Sequence, residues 1–268
     1  MSSTTSHVKY HASRAADSKP LELLARAGFI GYGVIHLLFA WIALQVAFGG
    51  SGKESDQSGA LQEMAAHSYG EVLLVAIAVG LFAMALWQAF EAAIGESGDQ
   101  DRTAIAERVV SGVRAVLYGY LGFMAIKVVQ GAKASMGDNS ESKSAGLMDA
   151  TGGRWLVGLA GLVVLGVGIG MAVYGLRKKF TRHLTGAPQT VIRLGQAGYS
   201  AKGLAYAISG VLFVSAAVTY DPDKARGLDA ALKTLAGHPW GVWVLALIAI
   251  GIAAFGVYCL AQSRYRKI

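Results

Sequence analysis

The stretch GYSAKGLAYAISG, Gly198 to Gly210, opens a long apolar run, and its pattern occurs at two earlier places in the chain. Every fourth residue reads Gly198, Lys202, Tyr206 and Gly210 here. The first copy gives Gly28, Tyr32, His36 and Ala40, and the second Val110, Arg114, Tyr118 and Gly122. Residues four apart share one helix face, so each copy begins with a helix carrying a stripe of small and polar side chains.

Outward from these stripes, six apolar runs reach the roughly 20 residues that about 30 Å of hydrocarbon requires. They are Ala27 to Phe48, Val72 to Phe90, Val109 to Val129, Leu156 to Tyr174, Gly198 to Val218 and Val242 to Ala261. With 54% apolar and 15% charged residues and 35 glycines, the composition excludes an ordinary water-soluble domain. The expected fold is all-α: an integral membrane bundle of six helices built from three two-helix repeats with pseudo-threefold symmetry. Residues 1–20 read as a flexible cytoplasmic tail and 21–268 as one membrane domain with repeats 21–95, 105–180 and 190–264. The first run lacks a small-residue cleavage site and is expected to be retained. The lone Cys259 excludes an intramolecular disulfide.

The net charge of +7 is unevenly distributed. Lys9, Arg14, Lys19, Arg26, Arg102, Arg108, Arg177, Lys178, Lys179, Arg182, Arg193, Arg264, Arg266 and Lys267 fall on one side of the predicted membrane. About half as many fall opposite: Lys53, Lys133, Lys143, Arg154, Lys224, Arg226 and Lys233. The bias puts both termini in the cytoplasm. It reads as topology and attraction to anionic headgroups, and nucleic acid is not an expected partner.

Each repeat reads as a polar-striped span, an outer connection with a short amphipathic helix, and a cleaner span. Leu61, Met64, His67, Tyr69, Gly70 and Gly80 correspond to Leu232, Leu235, His238, Trp240, Gly241 and Gly251. In the middle copy the loop diverges, with Arg154 at the histidine position, while Trp87, Tyr174 and Tyr258 align near the inner end. The fourth connection, Gly175 to Ala197, is basic and has no acid. Two spans per unit make successive units enter the membrane in the same sense, related by rotation about its normal.

Copies opening ARAGFIGYGVIH, VVSGVRAVLY and GQAGYSAKGLAY resemble the bacterial domain of unknown function numbered 1206. The resemblance implies an integral membrane protein of three two-helix repeats. It supplies no activity, and no functional residue is carried over from it.

The polar groups concentrate in spans one, three and five, which are therefore expected to face protein while spans two, four and six face lipid. Tyr32, Arg114 and Lys202 would form one layer and His36, Tyr118 and Tyr206 the next, with Glu91 as a partner for Arg114. Guanidinium, ammonium, imidazole and phenol donors suit an anionic solute or lipid headgroup. Arg114 and Lys202 also lie only about 8 Å into their spans, at 1.5 Å per residue. Snorkelling with internal pairing is therefore the favoured account of them, ahead of a specific anion or headgroup pocket. Lys127 reads as a snorkelled anchor. His67 and His238 occupy matched outer positions suited to interfacial roles more than to a metal, and a single histidine within the spans argues against bis-histidine haem. No paired carboxylates, HExxH, phosphate loop or Ser/His/Asp spacing falls within the spans, so no enzyme, metal or cofactor is expected. The reading is a non-enzymatic protein binding lipids, other membrane proteins or a second copy of itself; the alternative is a small carrier or channel for an anionic solute or lipid.

Overall fold

The computed structural model describes residues 19–48, 56–94, 102–132, 135–238 and 240–267. All of the expected tail except Lys19 and Pro20 lies outside them. Among the described residues are nine α-helices: α1 (Lys19–Ala47), α2 (Gln57–Ala65), α3 (Gly70–Ile94), α4 (Arg102–Val129), α5 (Met136–Met148), α6 (Gly153–Leu176), α7 (Gln189–Thr219), α8 (Leu228–Ala236) and α9 (Gly241–Tyr265). Two 3-10 turns, Lys179–His183 and Pro222–Ala225, complete them. Helices α1, α3, α4, α6, α7 and α9 are long and apolar enough to cross a membrane. Each contains one of the six apolar runs, extended at the ends by polar residues; α7 begins at Gln189 rather than Gly198.

Short helices α2, α5 and α8 cover one end of the bundle. The Asp56 carboxylate caps α2 by accepting from the Ser58 and Gly59 amides at 2.8 and 3.1 Å, and Ser135 caps α5 by accepting from Asp138 N at 2.8 Å. Arg226 joins the third repeat to the second, reaching Asp138 and Glu141 of α5 at 2.7 Å each and Asp229 of α8 at 3.4 Å. The other end carries most of the basic residues. There the connection between α6 and α7 is shorter than its sequence suggests: it folds back beneath the bundle, buries Phe180, and pairs Leu184 with Arg266 across an isolated bridge.

The turn into the second span is the same in all three repeats. Gly70 N donates to His67 O, Gly153 N to Ala150 O and Gly241 N to His238 O at 2.8–2.9 Å. A Cβ on Gly70, Gly153 or Gly241 would fall 2.0, 1.6 or 1.5 Å from the carbonyl oxygen of Met64, Leu147 or Leu235, so only glycine fits. This register corrects the middle copy by four residues. Ala150, not Arg154, stands where the others have histidine, and Gly170, not Tyr174, stands where they have Trp87 and Tyr258.

In the bundle the long helices pack in the order α6, α7, α9, α1, α3, α4. Contacts between repeats are made alike three times, by α3 with α4, α6 with α7, and α9 with α1. Within repeats, α1 packs on α3 and α7 on α9, but α4 and α6 do not pack together. Glycine placement gives the reason. Gly28 and Gly80 let α1 and α3 touch backbone to backbone: a Cβ on Gly28 would lie 2.4 Å from Gly80 O. In the third repeat a Cβ on Gly251 would lie 2.2 Å from the Ala201 Cβ. The middle repeat has Val110 and Val163 at the positions of Gly28 and Gly80, and both are exposed. Exposed valines thus stand where paired glycines let α1 and α3 touch.

Burial consequently follows place in this row, not the alternation of polar and clean spans. The most enclosed window is that of α1, 61% buried, then α3 and α9 at 50% each, whereas α4 and α6 at the two ends reach only 28% and 17%. The expectation that spans one, three and five face protein and the even ones lipid is therefore wrong for α3, α4 and α9. Leu245, Ile248, Ile252 and Phe255 put α9 at the centre of the core.

Candidate functional site

The polar stripes meet inside the basic half of the bundle. Lys202 on α7 is 6% exposed, and its Nζ donates to Tyr32 Oη at 2.8 Å and lies 2.9 Å from His36 Nε2. His36 Nδ1 is 2.9 Å from the Tyr32 carbonyl one turn earlier. A carbonyl only accepts, so the ring proton sits on Nδ1, and the bare Nε2 receives the Lys202 proton. The ammonium also lies 4.4 Å from the Phe255 ring centre, a cation–π contact strengthened by burial. Tyr118 closes the group with its ring 5.1 Å from that of Tyr32.

Four of the seven predicted residues, Tyr32, His36, Tyr118 and Lys202, thus form one cluster instead of two layers. Tyr206 is not part of it; it lies near Gln57 at the start of α2. Arg114 on α4 stands nearer the basic end, where its charge acts on Tyr118, Tyr174 and Tyr199. Glu91 lies beside it, accepting from Gln88 Nε2 at 2.6 Å and Ser111 Oγ at 3.2 Å. Lys127 projects near the Phe123 ring at the far end of α4. His67 and His238 are exposed and pack on Tyr69 and Trp240. Among the described residues, no three histidine, cysteine or acidic side chains are grouped to hold a metal.

Sequence reasoning missed the floor of this interior. Phe180, from the folded-back connection, packs on Tyr199 at 5.4 Å and Tyr258 at 5.3 Å between ring centres. Arg266, which the charge bias places among the basic residues of the cytoplasmic side, is only 8% exposed. Its guanidinium lies 5.2 Å from the Phe29 ring and 5.1 Å from that of Trp87. Arg266 Nε, Tyr258 Oη and Gln88 Oε1 are buried without a hydrogen-bond partner. The signal available was the aromatic pair Trp87 and Tyr258 at matched places; nothing local marks Arg266, because a bridge to a distant residue buries it.

His183 registers the resulting electrostatics. Burial, followed by the charges of Arg266, Arg182, Arg114 and Lys267, pushes its imidazole down to about 3, so it is neutral and its Nε2 accepts from Arg182 Nε at 3.1 Å. The basic half therefore joins three buried or half-buried cations to phenol donors in a site poor in carboxylate, an arrangement that can hold an anion.

Fold and site together define a multi-pass α-helical membrane protein with an internally threefold-repeated chain and a cationic, aromatic interior. The chain belongs to the DUF1206 family: the model of this domain of unknown function matches over residues 27–95, 109–178 and 197–266, once per repeat. An uncharacterized protein of Bacillus subtilis (strain 168), YxxB, is 27% identical over 268 residues, covering 97% of each chain. No solved structure matches the chain.

Proposed function

We propose that the protein is a non-enzymatic lipid-binding protein of the bacterial inner membrane, with both termini cytoplasmic, that takes a lipid into the opening between α4 and α6. The opening itself carries the reading. In a bilayer a gap between helices fills with lipid or protein, since no water is available to do so. Its borders are apolar: Val109, Val113 and Val116 are exposed on α4, and Leu159, Val163 and Val167 on α6. Arg114 stands toward the basic end of α4, which favours an anionic headgroup there. The bias of basic residues supports a cytoplasmic basic end.

Val110→Trp combined with Val163→Trp should fill the opening. Native mass spectrometry from mild detergent should then show the variant carrying one lipid fewer than the parent, and equal occupancy would refute the reading. A dimer cross-linked through α4 or α6 would replace it with a protein partner. A second reading, a carrier for an anionic solute, draws on the buried Lys202 ammonium. It requires anion flux in proteoliposomes that Lys202→Met abolishes.

A further inference from the structure

We infer that Arg266 and Arg114, with Tyr258 and Tyr199, form a binding site for a phosphate group at the basic end of the interior. Arg266 is the primary ligand. Its side chain is more than nine-tenths buried and pressed against Phe29 and Trp87. Its Nε–H finds no acceptor, and among the described residues no carboxylate forms an ion pair with it. A guanidinium buried this way is costly unless an anion completes it. Tyr258 Oη, the other unpartnered donor, lies within the field of Arg266, and the Tyr258 ring packs edge-on to that of Tyr199 with centroids 5.7 Å apart. Two buried donors without acceptors ask for an oxygen-rich anion, not for a cation.

Arg114 supplies the second charge. Both guanidinium groups lie within electrostatic reach of the phenols of Tyr118 and Tyr199, Arg114 from α4 and Arg266 from the end of α9. Lys202, already bonded to Tyr32 and His36, adds long-range attraction. Glu91 is the acidic group facing Arg114, and its carboxylate is held by Gln88 and Ser111. The neutral state of His183 reports the same excess of positive charge. Two guanidiniums with phenol donors match the several acceptors of a phosphate mono- or diester. The lipid headgroup as its source rests on the reading proposed above; the site itself does not, because free phosphate has the same chemistry.

The experiment uses the full chain and three variants, Arg266→Gln, Arg114→Gln and the control Arg264→Gln, an exposed neighbour in the same basic segment. Each is reconstituted into nanodiscs of phosphatidylglycerol and phosphatidylcholine, re-extracted, and measured for retained phospholipid by native mass spectrometry. Inorganic phosphate is then titrated into delipidated protein and thermal stability followed. If the phosphate belongs to a lipid, the parent retains phosphatidylglycerol; Arg266→Gln and Arg114→Gln reduce retention at least about tenfold, the smaller effect expected for a lost charge-assisted hydrogen bond; and Arg264→Gln retains it. If the ligand is free phosphate, the parent retains no lipid but is stabilised by phosphate, and the two arginine variants are not. That result keeps this site and removes the lipid reading. Retention and phosphate response identical in the parent and both arginine variants would overturn the site. Should Arg266→Gln fail to fold, Tyr258→Phe provides the test: it removes the second orphan donor, and an unchanged phosphate response in it together with Arg114→Gln overturns the site equally.

Discussion

Gly168→Ala separates steric closeness from glycine content, because α6 carries glycines both inside and outside its seam with α7. A Cβ on Gly168 would stand 2.4 Å from the Ala207 nitrogen and 2.7 Å from Gly203 O. On Gly166 or Gly170 it would meet nothing within 4 Å. Carbon contacts settle at about 3.5–4.0 Å, so alanine at 168 must push the helices apart by roughly 1 Å. The displaced atoms are backbone and cannot rotate away. Gly161 and Gly175, one heptad to either side, are clamped in the same way, with nearest approaches of 2.7 Å each, so the separation loosens all three levels of the seam. Overpacking of this kind costs about 1–3 kcal/mol. At 166 and 170 the same substitution should be neutral or stabilise by up to about 1 kcal/mol through lost backbone freedom. Cys259, the single cysteine, is fully buried, so a thiol-reactive dye reports unfolding directly in detergent. On the scale of about 2–4 °C per kcal/mol for a chain of this size, Gly168→Ala should melt several degrees below Gly166→Ala and Gly170→Ala. Equal melting of the three, or the reverse order, would refute the backbone-contact account of α6 and α7.

Three further outcomes are expected. With Cys259→Ala as background, a cysteine at exposed Ser142 should react with an impermeant thiol reagent on intact cells, and one at exposed Thr185 only after permeabilisation; reversed labelling would invert the proposed topology. Lys202→Met should leave thermal stability equal or higher, since it removes a buried charge that has no carboxylate partner among the described residues, whereas His36→Leu should lower it by about 1–3 kcal/mol by taking away an acceptor of the Lys202 ammonium; the opposite ranking would show that the ammonium is matched by a charge the cluster does not contain. The His183 imidazole titrates near 3 when folded, against an ordinary 6.5, so the unfolded chain takes up the proton first, and stability should fall as pH drops through 6.5 toward 3. His183→Gln should flatten that part of the pH profile followed by tryptophan fluorescence, and an unchanged slope would sink the assignment.

Local periodicity makes the six spans and the repeats legible, because span length and helical face are properties of consecutive residues. What depends on distant residues is not. Polar content partitions the helices into inner and outer, yet α3 and α9 are enclosed because each lies between two neighbours, and α4 and α6 are bare because each has a long neighbour on one side only. Matching polar and aromatic identities sets the middle repeat four residues out of register. The glycine of the span-two turn is the stricter marker, since a carbonyl six residues earlier leaves no room for a Cβ. Of the site, Tyr32, His36, Tyr118 and Lys202 are found from their shared stripe. Arg266 is not, because its burial comes from the pairing with Leu184 and the rings of two other helices.

The departure from symmetry is where structure and chemistry meet. Were the three repeats identical, α4 would close on α6 as α1 closes on α3, through paired glycines. The middle repeat instead has Val110 and Val163 there, both exposed. The same repeat contributes Arg114 where the first has Tyr32 and the third has Lys202, so the helix that borders the opening also carries a guanidinium toward the tyrosines within. A charged side chain in a sealed core would need a partner from the protein; one beside a lateral opening can draw it from the membrane or the adjoining solution. On the lipid-binding reading proposed above, the valines and the arginine of the middle repeat act together, the missing helix-packing contact giving a lipid access to an interior cation. Restoring glycine at 110 and 163 without removing Arg114 would set these two requirements against each other.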